Sequence, residues 1–189
     1  MSGSQKCVSY PGVRPPYNPH STTSTMTSNE FTITPIDSST SYQAWYDLFH
    51  AYLVEGKDED KFPADQYQKT FDRLVDTGPK GDVYGFMLLS PGDATPVGFA
   101  LYLFHPTTWS EKGHCYLIDL YVDPGYRRRG GATGLIMRVK QEALEGKITH
   151  KGAQHMLYWH TKKDNKVARG LYDKLAKNEQ TVYEMVLDE

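Results

Sequence analysis

The chain has 189 residues, 39% hydrophobic and 13% aromatic, enough for one domain with a real core plus a tail. Its 21 Lys and Arg against 23 Asp and Glu leave it nearly neutral, which argues against a nucleic-acid binder; its two cysteines, Cys7 and Cys115, are too few for a zinc site and poorly placed for a disulfide. No apolar run reaches the ~18–20 residues of a membrane helix and the N-terminus lacks a secretory core, so a soluble protein without a membrane partner is expected, in the cytoplasm with the nucleus also open.

Residues 1–29 are rich in Ser, Thr, Pro and Tyr without an apolar period, and a flexible tail is expected there, with one domain over 30–189. Residues 31–36 alternate with Thr into a short strand. Ser38 to Ser41 then offer caps for a helix carrying Trp45, Leu48, Phe49 and Tyr52 and ending near Gly56. The charged run 57–61 reads as a solvated loop. A second helix is expected over 63–75, with Tyr67, Phe71 and Leu74 on one side. Residues 83–89 and 97–104 are strands joined by a turn at Pro91-Gly92-Asp93, and with 116–122 they make an antiparallel meander.

The last of these strands ends at Asp123-Pro124-Gly125, and Leu135, Val139 and Glu142-Ala143 then recur at helical spacing. At the joint stand Arg127, Arg128, Arg129, Gly130, Gly131 and Ala132, where small residues let backbone N–H groups approach a ligand and the helix contributes its positive end. That is an anion seat, best suited to a pyrophosphate. The arginines read either as phosphate partners or as solvated residues. A dinucleotide-binding turn fits poorly, because the glycine spacing is wrong and the preceding strands form hairpins. Residues 156–159 form a further strand, made parallel to its neighbour by the crossover helix. A helix is expected over 161–177 and a terminal strand over 181–187. On the helix, Asn165, Ala168, Arg169 and Tyr172 share one face.

The segment Arg127 to Ala132 resembles the acetyl-CoA signature of the GCN5-related N-acetyltransferase superfamily, and the likeness extends over Thr107-Thr108-Trp109, residues 118–123 and residues 159–172. These stretches look like its small fungal histone- and polyamine-acetylating group. The resemblance implies an α/β (α+β) fold with a mixed, mostly antiparallel sheet, a splayed parallel strand pair and about four helices. It implies acetyl-CoA as acetyl donor, held by the backbone of Leu120, Tyr121 and Val122, by the cradle from Arg127 through Thr133, and by Asn165 and Arg169. Tyr172 takes the place of the general acid, the plain alternatives being a core tyrosine and, for Asn165, a helix cap. Asp119, a carboxylate within an apolar strand, is the best candidate base, with Glu55, Glu111 or a water chain open beside it. Tyr52, Glu55, Trp109 and Glu111 fall on the amine side, over which the resembling enzymes place their first two helices, and the resemblance makes the run 57–61 a cation-attracting rim there. Polyamine-acetylating relatives carry a glutamate where this chain has Ile118, a departure that bears on both base and acceptor.

The expected function is direct acetyl transfer to a primary amine of a polyamine, amino acid or amino sugar, or to a protein lysine. The alternative is an acetyl-CoA-binding regulatory module without transfer chemistry. A homodimer is expected from the resemblance and from the edge offered by the terminal strand. His105, His114, His155 and His160 have no ligand-like spacing, and no metal is expected.

Overall fold

The computed structural model describes residues 30–76, 81–178 and 182. The N-terminal tail and, Val182 apart, the terminal strand expected from the sequence lie outside the described residues. Thr32–Pro35 (β1), Tyr84–Leu89 (β2), Pro96–His105 (β3) and His114–Val122 (β4) pair in chain order, each antiparallel to the next, and Met156–Trp159 (β5) lies parallel to β4 as the fifth strand among the described residues. Antiparallel neighbours need only tight connections, whereas the parallel step needs a crossover. The helices are Tyr42–Gly56 (α1), Gln66–Val75 (α2), Gly131–Glu145 (α3, the crossover) and Lys166–Leu175 (α4). The mixed sheet with one parallel pair and four helices is the architecture expected from the sequence.

Two cores follow from strand alternation. On one face Met87, Phe99, Leu101 and Tyr121 meet Trp45, Phe49 and Leu53 of α1 and Tyr67, Phe71 and Leu74 of α2. On the other, Phe86, Leu88, Ala100, Tyr102, Cys115 and Leu117 meet Leu135, Ile136, Val139 and Ala143 of α3, with Leu171, Tyr172 and Leu175 of α4 packed at the margin. Trp45 is fully buried and stacked on Phe49 with ring centroids 4.8 Å apart.

Two helix starts differ from the sequence expectation. α2 begins at Gln66, three residues after Pro63, and α4 begins at Lys166, because the Asn165 side chain accepts from Ala168 N–H and so caps the helix. α1 starts as expected, with Ser41 accepting from Ala44 N–H. α3 ends at Gly146 in a left-handed conformation, φ 59°. Just before that end lies Glu142, 1% exposed, whose Oε1 accepts from Ile148 N–H (2.8 Å), Thr149 N–H (3.0 Å) and the Thr149 hydroxyl (3.3 Å), with Arg138 3.6 Å from Oε2. This carboxylate satisfies the backbone of the loop leading toward β5.

Glu142→Ala removes the acceptor and leaves two backbone donors without a partner. The expected loss is about 2–4 kcal/mol, read as a lower urea midpoint at unchanged slope, with Glu142→Gln losing distinctly less.

Candidate active site

β4 and β5 pair only from His114 to Leu117, opposite Met156 to Trp159, and part beyond that point. Beside the parting, β4 carries one residue more than β3: Leu101 faces Asp119 and Tyr102 faces Leu117, so Ile118 is the extra residue of a bulge. Cys115 and Leu117 point to the α3 face, and regular alternation would send Asp119 there too. The bulge resets the count. Ile118 packs toward the α1 side, Tyr121 joins that core, and Asp119 receives a hydrogen bond from Tyr52 of α1.

The same count orients the backbone. Asp123 N–H donates to Val97 C=O of β3 (2.8 Å), so Asp119 and Tyr121 turn their amides to β3, while Leu120 and Val122 turn theirs to the opposite edge, where β5 has departed. Val122 C=O on that edge accepts from Arg127 Nε at 2.6 Å.

Asp119 is half-buried, with Tyr52 Oη 2.8 Å from its Oδ1. Burial lifts its carboxyl above the ordinary carboxylate range, and the Tyr52 hydrogen bond pulls part of the way back. Burial and then the charge and hydrogen bond of Asp119 raise the Tyr52 phenol, with smaller contributions from Asp58 and Tyr172. Tyr172 is thus within electrostatic reach of Tyr52. Its ring stands edge-on to Trp159 at 5.4 Å, and burial keeps its phenol protonated well above neutrality.

The turn after β4 is built from backbone conformations that few residues adopt. Arg128 has φ 62° and Gly130 φ 90°, both left-handed. A Cβ added at Gly130 meets nothing within 4 Å, so that side of the turn faces open space, whereas one at Gly131 would stand 2.6 Å from Leu88 Cδ2, which lets α3 lie close on β2. Gly134 N–H makes the first intrahelical bond, to Gly130 C=O, so the amides of Gly131, Ala132 and Thr133 are not used by the helix. Arg128 and Arg129 are exposed, Arg129 lying over the Tyr126 ring at 5.6 Å. Arg127 instead forks onto Glu55 of α1, with N–O distances of 2.9 and 2.5 Å.

Tyr52, Asp119 and Tyr172 therefore come together, and Glu55 and Arg127 pair beside them. Trp109 and Glu111 do not join this group. They lie on the loop between β3 and β4, Trp109 93% exposed, on the order of 15 Å of strand from Asp119. Asn165 spends its side chain on Ala168 N–H and Thr161 Oγ1, and Arg169 donates to Lys163 C=O. At the loop end of the sheet, away from Asp119, His105 meets His114 edge-on and His114 stacks on His155. Among the described residues no group of His, Cys, Asp and Glu is arranged to hold a metal, and no helix is long and apolar enough to cross a membrane.

Two features escaped the sequence reading. Lys162, just after β5, reaches Asp58 Oδ2 and Gly56 C=O, both at 3.4 Å, linking the loops on either side of the site; nothing local signals that contact. The bulge at Ile118 did leave a trace, because a carboxylate at position 119 breaks the apolar alternation begun by Cys115 and Leu117.

Comparison with known proteins gives a consistent picture. The model of the acetyltransferase (GNAT) family matches residues 42–176. The D-amino-acid N-acetyltransferase HPA3 of Saccharomyces cerevisiae is 30% identical over 142 residues, spanning 75% of this chain and 82% of that protein. The thialysine N-epsilon-acetyltransferase of Bos taurus is 33% identical over 102 residues, 50% of this chain and 54% of its own length. Among solved structures, AAC(6')-Iy in complex with a CoA-containing bisubstrate analog superposes with a TM-score of 0.66 at 16% identity, covering 85% of this chain and 99% of that one.

The left-handed turn gives a backbone test. Gly130→Ala forces a Cβ into φ near 90° and is expected to cost about 1–2 kcal/mol. Gly170→Ala, within α4 where a new Cβ meets nothing, is expected to stabilise by up to ~1 kcal/mol. Chemical denaturation of the two variants reads both signs.

Proposed function

The chain belongs to the GNAT family of acetyltransferases, and from that membership we propose that it transfers acetyl from acetyl-CoA to the primary amine of an amino-acid-like small molecule by direct attack. The observation that carries the proposal is the half-buried Asp119, hydrogen-bonded to Tyr52 at the point where β4 and β5 part. The residues present suit the donor. The edge amides of Leu120 and Val122 are available to a pantetheine arm, and the amides of Gly131, Ala132 and Thr133, beside the open side of Gly130, suit a pyrophosphate. Arg128 and Arg129 are the arginines at hand for phosphate, since Arg127 is taken up by Glu55. Asn165 and Arg169 serve by fixing the start of α4.

Bound acetyl-CoA would supply a thioester carbon open to attack. Asp119, with its raised proton affinity, takes a proton from the acceptor ammonium, which must be neutral before its nitrogen can bond to that carbon. As the carbon–sulfur bond breaks, Tyr172 delivers a proton to the departing sulfur, and the second proton shed by the acetylated nitrogen restores the phenol.

The choice of acceptor rests on charge and on relatives. An extended polycation needs surplus carboxylates, and the two acids beside the Tyr52–Asp119 pair are taken, Glu55 by Arg127 and Asp58 by Lys61 and Lys162, which leaves less charge there for one. The yeast relative is a D-amino-acid N-acetyltransferase and the bovine one a thialysine N-epsilon-acetyltransferase. Thiol release from acetyl-CoA, measured with D- and L-amino acids, spermidine, an aminoglycoside and a histone-tail peptide, tests the assignment. Highest kcat/KM for an amino acid is expected. Preference for spermidine or the peptide overturns the acceptor, and no turnover with any of them, despite acetyl-CoA binding, leaves a binding module.

Self-association as a dimer is part of the proposal: the outer edge of β5 has no strand partner among the described residues, and Met156 on it is exposed. Light scattering is expected to give twice the chain mass. For the chemistry, Tyr172→Phe keeps the ring against Trp159 and removes the proton. Its turnover is expected to fall about 10²-fold or more with acetyl-CoA affinity little changed; near-normal turnover would strike Tyr172 as the acid.

A further inference from the structure

We infer that Tyr52 is a positioning residue for the reaction: its hydroxyl ties down Asp119 Oδ1, leaves Oδ2 to the acceptor amine, and sets how readily Asp119 takes a proton. The inference rests on the reading of Asp119 as the base.

The geometry behind it is tightly determined. Tyr52 stands one turn from the end of α1, and its ring is boxed by Phe49 at 5.9 Å, by Phe99 edge-on at 5.8 Å and by Tyr121 at 6.1 Å. Phe99 and Tyr121 are themselves paired across β3 and β4, so the walls of the box belong to the sheet. Held there, the phenol has one polar neighbour within hydrogen-bond distance, Asp119 Oδ1 at 2.8 Å. Among the described residues no hydrogen bond goes to Oδ2. The other charged and titratable groups around the pair are Asp58 on the loop after α1, Tyr172 of α4 and Tyr121 of β4. Arg127, the nearby cation on the turn, is committed to Glu55 and Val122 C=O, and Lys162 to Asp58 and Gly56 C=O. Among the described residues no cation forms an ion pair with Asp119.

Tyr52 therefore supplies the stabilising contact to a carboxylate that burial destabilises. Because the phenol is raised, it stays protonated over the working pH range and acts as a donor only. A donor favours the ionised carboxylate, so removing it makes Asp119 hold its proton to higher pH.

The experiment compares kcat/KM against pH for wild type, Tyr52→Phe and Asp119→Asn, with one amine acceptor throughout so that the acceptor's own ionisation is common to all. For Tyr52→Phe the acidic limb is expected to move up by about one pH unit, the shift that loss of one charge-assisted hydrogen bond produces, with the KM for acetyl-CoA unchanged. Replacing Tyr52 by 3-fluorotyrosine, a stronger donor of nearly the same shape, is expected to move the limb down, which keeps the test open if Tyr52→Phe folds poorly. Adding Tyr52→Phe to Asp119→Asn is expected to cost no further activity. If Asp119→Asn abolishes turnover but neither change at Tyr52 moves the limb, the positioning role falls and the base stands. Normal turnover in Asp119→Asn overturns the reading of the base, and the inference with it.

Discussion

A β-strand sends alternate side chains to opposite faces, and β4 suspends that rule once, at Ile118. Everything around Asp119 depends on the suspension. Upstream, Cys115 and Leu117 serve the core under α3; downstream, Asp119 and Tyr121 serve the side covered by α1, and the α3 side receives Leu120 and Val122. One inserted residue turns a carboxylate out of an apolar core toward a phenol that can satisfy it. The bulge also lies where β5 leaves its partner, so the strand edge that loses its neighbour is the one carrying the amides of Leu120 and Val122. Side-chain chemistry and backbone chemistry are placed by the same local irregularity.

The charges around this point are arranged in two tiers. At the surface, Glu55 with Arg127 and Asp58 with Lys162 are partly solvated pairs, individually worth ~0–1 kcal/mol, and their consequence is geometric. Arg127 joins the end of α1 to the end of β4, while Lys162 joins the loop after α1 to the chain leaving β5. Inside them Asp119 has, among the described residues, a neutral donor and no counter-ion. A salt bridge there would hold the carboxylate ionised but useless as a base. A phenol holds it ionisable.

How much of this could be read beforehand follows from what is local. The strand 116–122, its Asp-Pro-Gly stop and the helix after it were legible because apolar period, turn chemistry and small residues all occur within one short stretch. The crossover then dictated a parallel pair. The start of α4 was less legible, since Asn165 suits both a ligand contact and a cap, and only the geometry at Ala168 N–H shows it capping. Arg127 looked like a companion of Arg128 and Arg129, yet its partner is Glu55, 72 residues away, and no sequence pattern links the two. Glu142 read as one more helix residue beside Ala143. Its role for the amides of Ile148 and Thr149 depends on how a loop folds back, which periodicity does not encode.

The helix carrying Tyr172 differs from the other three in how it is held. α1, α2 and α3 each place several buried side chains in a core, whereas α4 has none among its ten residues, and Leu171, Tyr172 and Leu175 are only partly covered. β5, which leads into it, is joined to the sheet by four residue pairs. Free energies of local opening scale with what an element buries, so this end of the molecule detaches at far lower cost than the meander it leans on. The contact of Lys162 with Asp58 ties this end of the molecule back to the loop after α1, so Tyr172 stands on the lightly held part of the site and Asp119 on the part anchored in the meander.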